Sequence, residues 1–162
     1  MVTVQKAELS HVKGICEVCT RGYWATYTSA PRSYIQRIVD GFYNVERVSK
    51  EVQNGDYWVV FDGEIVVGAG GGGMISENEG ELYVLYVEPT RKYQDIGTLL
   101  LDAVTQELKE LGASIQWVSV AKGNQMAIPF YESRGFRFYE ERKAYASLEG
   151  EDRVVLRYKR SI

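Results

Sequence analysis

Two short stretches hold most of the residues whose types and spacing can do chemistry. The first is Glu81–Leu101, ELYVLYVEPTRKYQDIGTLLL. It opens on a carboxylate, Glu81, and runs through apolar and aromatic residues to Pro89. A charged loop follows, and an apolar helix begins near Ile96. A loop that empties onto a helix N-terminus presents unpaired N–H groups and the positive end of the helix dipole, a setting for an anion such as a pyrophosphate. Gly97 allows close backbone approach there. Lys92 offers a point charge without arginine's bidentate geometry, and Thr98 offers a hydroxyl. The second stretch is Asn124–Phe136, NQMAIPFYESRGF. It reads as a helix capped by Asn124 that carries a phenol, Tyr131, with an ordinary pKa near 10 and so able to give a proton.

Other candidates carry less. The run Gly68–Gly73 matches G-x-G-x-x-G, but a dinucleotide fingerprint needs a helix opening at it. Met74, Ile75, a polar turn and another strand follow instead, and no GK[ST] is present. The run reads as a strand end stripped of side chains, with room for a neighbouring backbone or ligand. Cys16 and Cys19 form a lone CxxC in a chain with one histidine, a poor metal set. They read as core thiols on one helix face, with redox or metal chemistry as the alternative. His11, the only histidine, would have to serve any Ser-His-Asp or Cys-His enzyme, and its place beside Ser10 reads as a first-turn position. No metal is expected.

These residues need a scaffold. Val2–Ala7 alternates as a strand. Leu9–Arg21 has helical spacing with Ser10 as candidate cap, and Gly22–Ser33 reads as an aromatic-rich loop with Tyr23, Trp24 and Tyr27. Tyr34–Val52 is helical with a break near Gly41. Strands are predicted at Tyr57–Phe61, Glu64–Met74 and Glu81–Val87, joined by turns at Asp62-Gly63 and Glu77–Gly80. A helix at Ile96–Leu111 ends on Gly112. A strand at Ser114–Val120 and a helix at Gln125–Arg134 follow. Late strands at Phe136–Ala144 and Arg153–Tyr158 flank a polar turn at Glu149–Asp152. This is one α+β domain over residues 1–162, a mixed, mostly antiparallel sheet flanked by helices in the order β-α-α-β-β-β-α-β-α-β-β.

Composition bounds the function. With 162 residues, 45% of them apolar, the chain suits one domain with a sizeable core. Its net charge of −3 gives no basic excess for nucleic acid and mildly favours a cationic partner. The first ten residues lack a secretory apolar core, and no apolar run approaches the roughly 18 residues that span a bilayer. The expectation is a cytoplasmic protein with no membrane and no nucleic-acid partner.

The whole pattern resembles the GNAT superfamily, the acetyl-CoA-dependent N-acetyltransferases. Two motifs carry the resemblance. The family's acyl-CoA loop reads roughly Q/R-x-x-G-x-G/A after a strand and a proline, and here Lys92-Tyr-Gln-Asp95-Ile-Gly97 follows Val87-Glu-Pro89. The family's N-x-x-A-x-x-F-Y-x-x-x-G-F is complete in Asn124, Ala127, Phe130, Tyr131, Gly135 and Phe136. The loop departs at Asp95, where the family has glycine. Asp tolerates left-handed backbone better than most residues, but its carboxylate is unfavourable beside a pyrophosphate.

The resemblance implies acetyl transfer from acetyl-CoA to a primary amine: a small amine, a polyamine, or the amine of a peptide. Leu85, Tyr86 and Val87 would lie along the pantetheine arm on a strand splayed from its neighbour. Lys92, Tyr93, Gln94, Asp95, Ile96, Gly97 and Thr98 would hold the pyrophosphate, with Asn124 as a polar contact. Tyr131 would stand near the cofactor sulfur as acid. Glu81, eleven residues before Lys92, has the offset of the glutamate that serves several members as base. Trp24 and Tyr27 would line the acceptor site, where aromatics can hold an ammonium. The segment from Gly22 to Val52 is similar to bacterial members that acetylate polyamines. A homodimer through the C-terminal strands is in keeping with the family. The alternative is a non-catalytic acyl-CoA-binding module that senses or scaffolds.

Overall fold

The computed structural model describes residues 2–91, 94–144 and 153–162. Seven strands form one sheet in the order β1-β2-β3-β4-β5-β7-β6. The first four, β1 (Val2–Lys6), β2 (Trp58–Asp62), β3 (Ile65–Met74) and β4 (Glu79–Val87), form an antiparallel meander. β5 (Ile115–Ala121) runs parallel to β4, and β7 (Val154–Ser161) inserts antiparallel between β5 and β6 (Arg137–Lys143). One face carries α1 (Val12–Thr26) and α3 (Val45–Gln53), whose Ile15, Val18, Cys19 and Val48 are fully buried against Val59 and Ala69. α2 (Arg32–Phe42) packs beside α1 around Tyr23, Tyr34 and Ile35. The other face carries α4 (Ile96–Glu110), and the short α5 (Ala127–Glu132) joins its core.

Three local features shape the site. β2 and β3 turn through Gly63 and Glu64; Gly63 has φ 63° and Glu64 does not share the positive value, the pattern of a type II′ hairpin. α4 ends in a Schellman motif, with Gly112 at φ 102°, its amide on Lys109 O (3.0 Å) and the Ala113 amide on Leu108 O (2.9 Å). In β4, Gly71 pairs with Val84 and Gly72 with Leu82, so Tyr83 is an extra residue. That bulge lets Leu82 and Leu85, three apart, both pack with the α4 core, while Val84 and Tyr86 pack against α1.

Several sequence expectations shift. The helix expected to stop at Arg21 continues to Thr26, so Tyr23 and Trp24 stand on α1. Gly22, expected to open that loop, lies within α1 as a close contact: a Cβ there would lie 2.8 Å from the Tyr86 ring. The break in the next helical region falls at Tyr43–Asn44, not Gly41, because the Asn44 side chain caps α3 by accepting from the Arg47 amide (2.8 Å). Ser10 caps nothing. Glu8 and His11 form a reciprocal capping box, and His11 Nδ1 accepts from the Glu8 amide (3.0 Å). Cys19 is fully buried in the core, and loss of water pushes its thiol far above the usual range. The turn expected at Glu149–Asp152 lies outside the described residues.

The glycine run lies inside β3, with no helix after it. A Cβ on Gly71 would stand 2.0 Å from Asp56 O, and one on Gly72 2.2 Å from Glu81 O. These glycines let backbone approach backbone.

Candidate active site

β4 and β5 are paired only from Glu79 opposite Ile115 to Leu82 opposite Val118. Beyond that they part. From Tyr83 to Val87, β4 keeps β3 on one edge and has no strand on the other. Open N–H and C=O groups on a strand edge are a template for an extended, amide-bearing ligand.

Two cavities meet at this fork. One, of about 440 Å³, runs past Leu85, Tyr86 and Val87, the start of α4, and the α5 region. The other, of about 900 Å³, is walled by tyrosines of α1 and α2 and reaches Glu81 and Arg157. Tyr27, Leu82, Tyr83, Val84, Tyr86 and Ser119 line both.

The far end of the first cavity suits an anion. Asp95 has φ 61° and ψ 14°, a left-handed conformation, and its side chain caps nothing. The first bond of α4 runs from the Leu99 amide to Asp95 O (3.0 Å), so the amides of Ile96, Gly97 and Thr98 have no acceptor within the helix. Gly97 and Thr98 both line the cavity. Beside them lies Arg134, whose Nη2 donates to Thr98 Oγ1 (2.6 Å) and Nη1 to Phe130 O (2.9 Å), with the guanidinium 3.9 Å over the Phe130 ring. Arg91 also lines this cavity but bonds Asp62 (2.9 Å) and takes the Gln94 side chain (2.8 Å). Gln94 is therefore turned to Arg91 and does not line the cavity. Lys92 and Tyr93 lie outside the described residues.

The α5 region presents Tyr131 through local bonds. Asn124 Oδ1 accepts from the Ala127 amide (3.2 Å), so the expected cap is formed. The Ile128 amide donates to Asn124 O (3.3 Å), and Pro129, the next residue, has no N–H to continue that series. Gly135 has φ 93°, and the Phe136 amide returns to Tyr131 O (3.2 Å). Tyr131 is buried between Phe130 and Phe136, with ring centroids 5.1 and 5.3 Å away. Burial, aided by Tyr27 and opposed by Arg134, pushes its phenol well above the ordinary range and keeps it protonated near neutrality.

Glu81 lines the second cavity with both carboxylate oxygens engaged. Arg157 Nη1 donates to Oε2 (2.8 Å) and Nη2 to Oε1 (2.9 Å), and Nη1 also donates to Ser119 Oγ (2.7 Å). Tyr27 stands at the junction, stacked on Tyr23 at 4.1 Å. Trp24 is not brought to either cavity. It packs beside Tyr23 with the Arg32 guanidinium 4.9 Å over its ring. Sequence reasoning missed Arg134, Ser119 and Arg157. An arginine in the apolar strand VVLRY was the available signal for the last, since its position alternates with Tyr158 on a sheet buried on both faces.

Residues 20–136 match the sequence profile of the acetyltransferase (GNAT) family. The chain belongs to that family. Among relatives, it is 32% identical to the [ribosomal protein bS18]-alanine N-acetyltransferase of Escherichia coli (strain K12) over 81 residues, 49% of this chain and 55% of that protein. The chain thus spans about half the length of the curated relatives it matches. Among solved GNAT-fold structures, the PaiA N-acetyltransferase of Thermoplasma acidophilum in complex with coenzyme A superposes with a TM-score of 0.82 at 20% identity, covering 100% of this chain and 99% of that one. The ribosomal-protein-S18-alanine N-acetyltransferase of Escherichia coli gives 0.70 at 19%, covering 100% and 94%. At these identities the structural likeness is one of fold.

Proposed function

We propose that the chain transfers an acetyl group from acetyl-CoA to a primary amine, carried by a small amine, a polyamine or a peptide. The observation that carries this reading is the meeting of two cavities at the β4–β5 fork, with Tyr131 in one and Glu81 in the other. The residues present fit the cofactor. An unpaired strand edge suits the amides of the pantetheine arm, and open amides with Arg134 suit its phosphates.

When bound, acetyl-CoA supplies a thioester whose carbonyl carbon accepts the amine nitrogen and whose sulfur leaves as the thiol. The chain's residues handle the charges. An N–H on the open edge of β4 donates to the carbonyl oxygen as it gains charge. Glu81 draws a proton from the acceptor ammonium, freeing the lone pair that forms the C–N bond. The Tyr131 hydroxyl gives its proton to the leaving sulfur. The second amine proton restores that phenol through solvent, so one proton is released per turnover. The tyrosine wall of the acceptor cavity can hold an ammonium by cation–π contact, Tyr27 being nearest the fork.

The test is coenzyme A release against a panel of spermidine, aminoglycosides, amino acids and peptides with N-terminal alanine. Release with a primary amine is the expected result. Acetyl-CoA binding with no turnover on any amine would replace this reading with a non-catalytic acyl-CoA-binding module.

A further inference from the structure

Arg157 is a full charge buried on β7, between β5 and the edge strand β6, with its residue only 5% exposed. Burying a charge costs several kcal/mol unless partners compensate, and its compensation is concentrated at one place. Glu81 lies one residue before the last β4–β5 pair and Ser119 one residue after it. Arg157 stands opposite Ser119 in the β5–β7 ladder and binds both. Its guanidinium lies 4.9 Å over the Trp117 ring, and its Nε is buried with no partner. A side chain that only filled the core would not leave a buried donor orphaned while aiming its two terminal nitrogens at the fork.

We propose that Arg157 is the positioning residue that sets the Glu81 carboxylate at the junction of the two cavities; this rests on the acetyltransfer reading above. The fork-to-fork pair fixes the plane of the carboxylate, which a lysine cannot do. It leaves each oxygen its other lone pair for the acceptor amine. It also engages a lone pair of Ser119 Oγ, so the Ser119 hydrogen points elsewhere at a site shared by both cavities.

Other charged groups line this cavity as well. They are Arg47 and Glu51 of α3, paired with each other at 3.5 Å, and Asp56 before β2. From the β6–β7 side come Arg142, which bonds Glu140 (2.8 Å), with Lys143 and Arg153. Tyr57, beside Asp56, is a buried phenol pushed upward by loss of water, and the exposed Tyr83 of β4 is raised by partial desolvation and by Glu81, against Arg157. Among the described residues, Arg157 alone forms an ion pair with Glu81.

The experiment is a double-mutant cycle on Glu81→Gln and Arg157→Gln, with Arg157→Lys as a charge-conserving control. Acetyl-CoA affinity by calorimetry reports that each variant is folded. Arg157→Gln should lower kcat about 100-fold, within the range for a misplaced general base, with acetyl-CoA affinity near wild type. The double variant should be no slower than Glu81→Gln alone, and Arg157→Lys should recover only part of the rate. Costs that multiply in the double variant, or full recovery of the rate by Arg157→Lys, would overturn the proposal. A wild-type protein that turns over no amine would instead overturn the acetyltransfer reading beneath it.

Discussion

The Phe136 amide donates to the Tyr131 carbonyl at 3.2 Å, closing a left-handed turn at Gly135. Packing from Phe136 and a backbone bond therefore fix Tyr131 independently of its hydroxyl. Tyr131→Phe should keep this frame and remove only the proton. We expect kcat to fall about 100-fold or more, with thermal stability and acetyl-CoA affinity near wild type. A variant with undiminished kcat would remove Tyr131 from the chemistry.

Asp95 holds φ 61° at the head of α4. An L-residue there costs roughly 1–2 kcal/mol, and its carboxylate stands where the helix end invites an anion. Asp95→Gly relieves both while adding the chain entropy of glycine to the unfolded state. The expected result is acetyl-CoA binding that is tighter or unchanged, with Tm unchanged or raised. A clear loss of affinity in calorimetry would mean that the Asp95 carboxylate itself contributes to the site.

Legibility in the sequence followed the range of the interaction. Asn124, Gly135 and Phe136 were readable because each acts within a few residues, as a cap, a left-handed turn and a return bond. The helix through Gly22 was not, because the reason for that glycine is Tyr86, 64 residues away. Arg157 reaches Glu81 across 76 residues, a pairing that only the strand order β4-β5-β7 creates. The Tyr83 bulge depends on which glycine of β3 faces which residue of β4, and a run of near-identical glycines carries no register signal.

That same run separates packing from ligand binding. Gly72→Ala would place a Cβ 2.2 Å from Glu81 O, whereas Gly73→Ala meets nothing closer than Tyr83 Cε2 at 3.4 Å. Gly72→Ala should therefore cost on the order of 1–3 kcal/mol or more, and Gly73→Ala close to nothing. Equal Tm values for the two would show that β3 does not approach β4 this closely.

Burial raises the phenols of Tyr23, Tyr43, Tyr57, Tyr86 and Tyr131 above their ordinary value. Their contribution is fully present below pH ~10, where unfolded tyrosines are also protonated. Above it the unfolded chain sheds protons that the folded chain keeps, and stability falls by about 1.4 kcal/mol per pH unit for each tyrosine. Alkaline unfolding should be steep and coincide with the tyrosinate absorbance of these five groups. Absorbance from these groups appearing near pH 10 in a still-folded protein would contradict their burial.

Arg134 places a cation at the positive end of α4, the wrong sign for the helix dipole. Stacking on Phe130 and bonds to Thr98 Oγ1 and Phe130 O hold it there, and an anion between guanidinium and amides would relieve the conflict. Arg134→Ala should weaken acetyl-CoA binding about 10-fold or more, in line with a charge-assisted bond. Acetyl-pantetheine, which has the same arm and thioester without the pyrophosphate, should bind as it does to wild type. Equal losses for the two ligands would assign Arg134 to the shape of the groove and not to the phosphates.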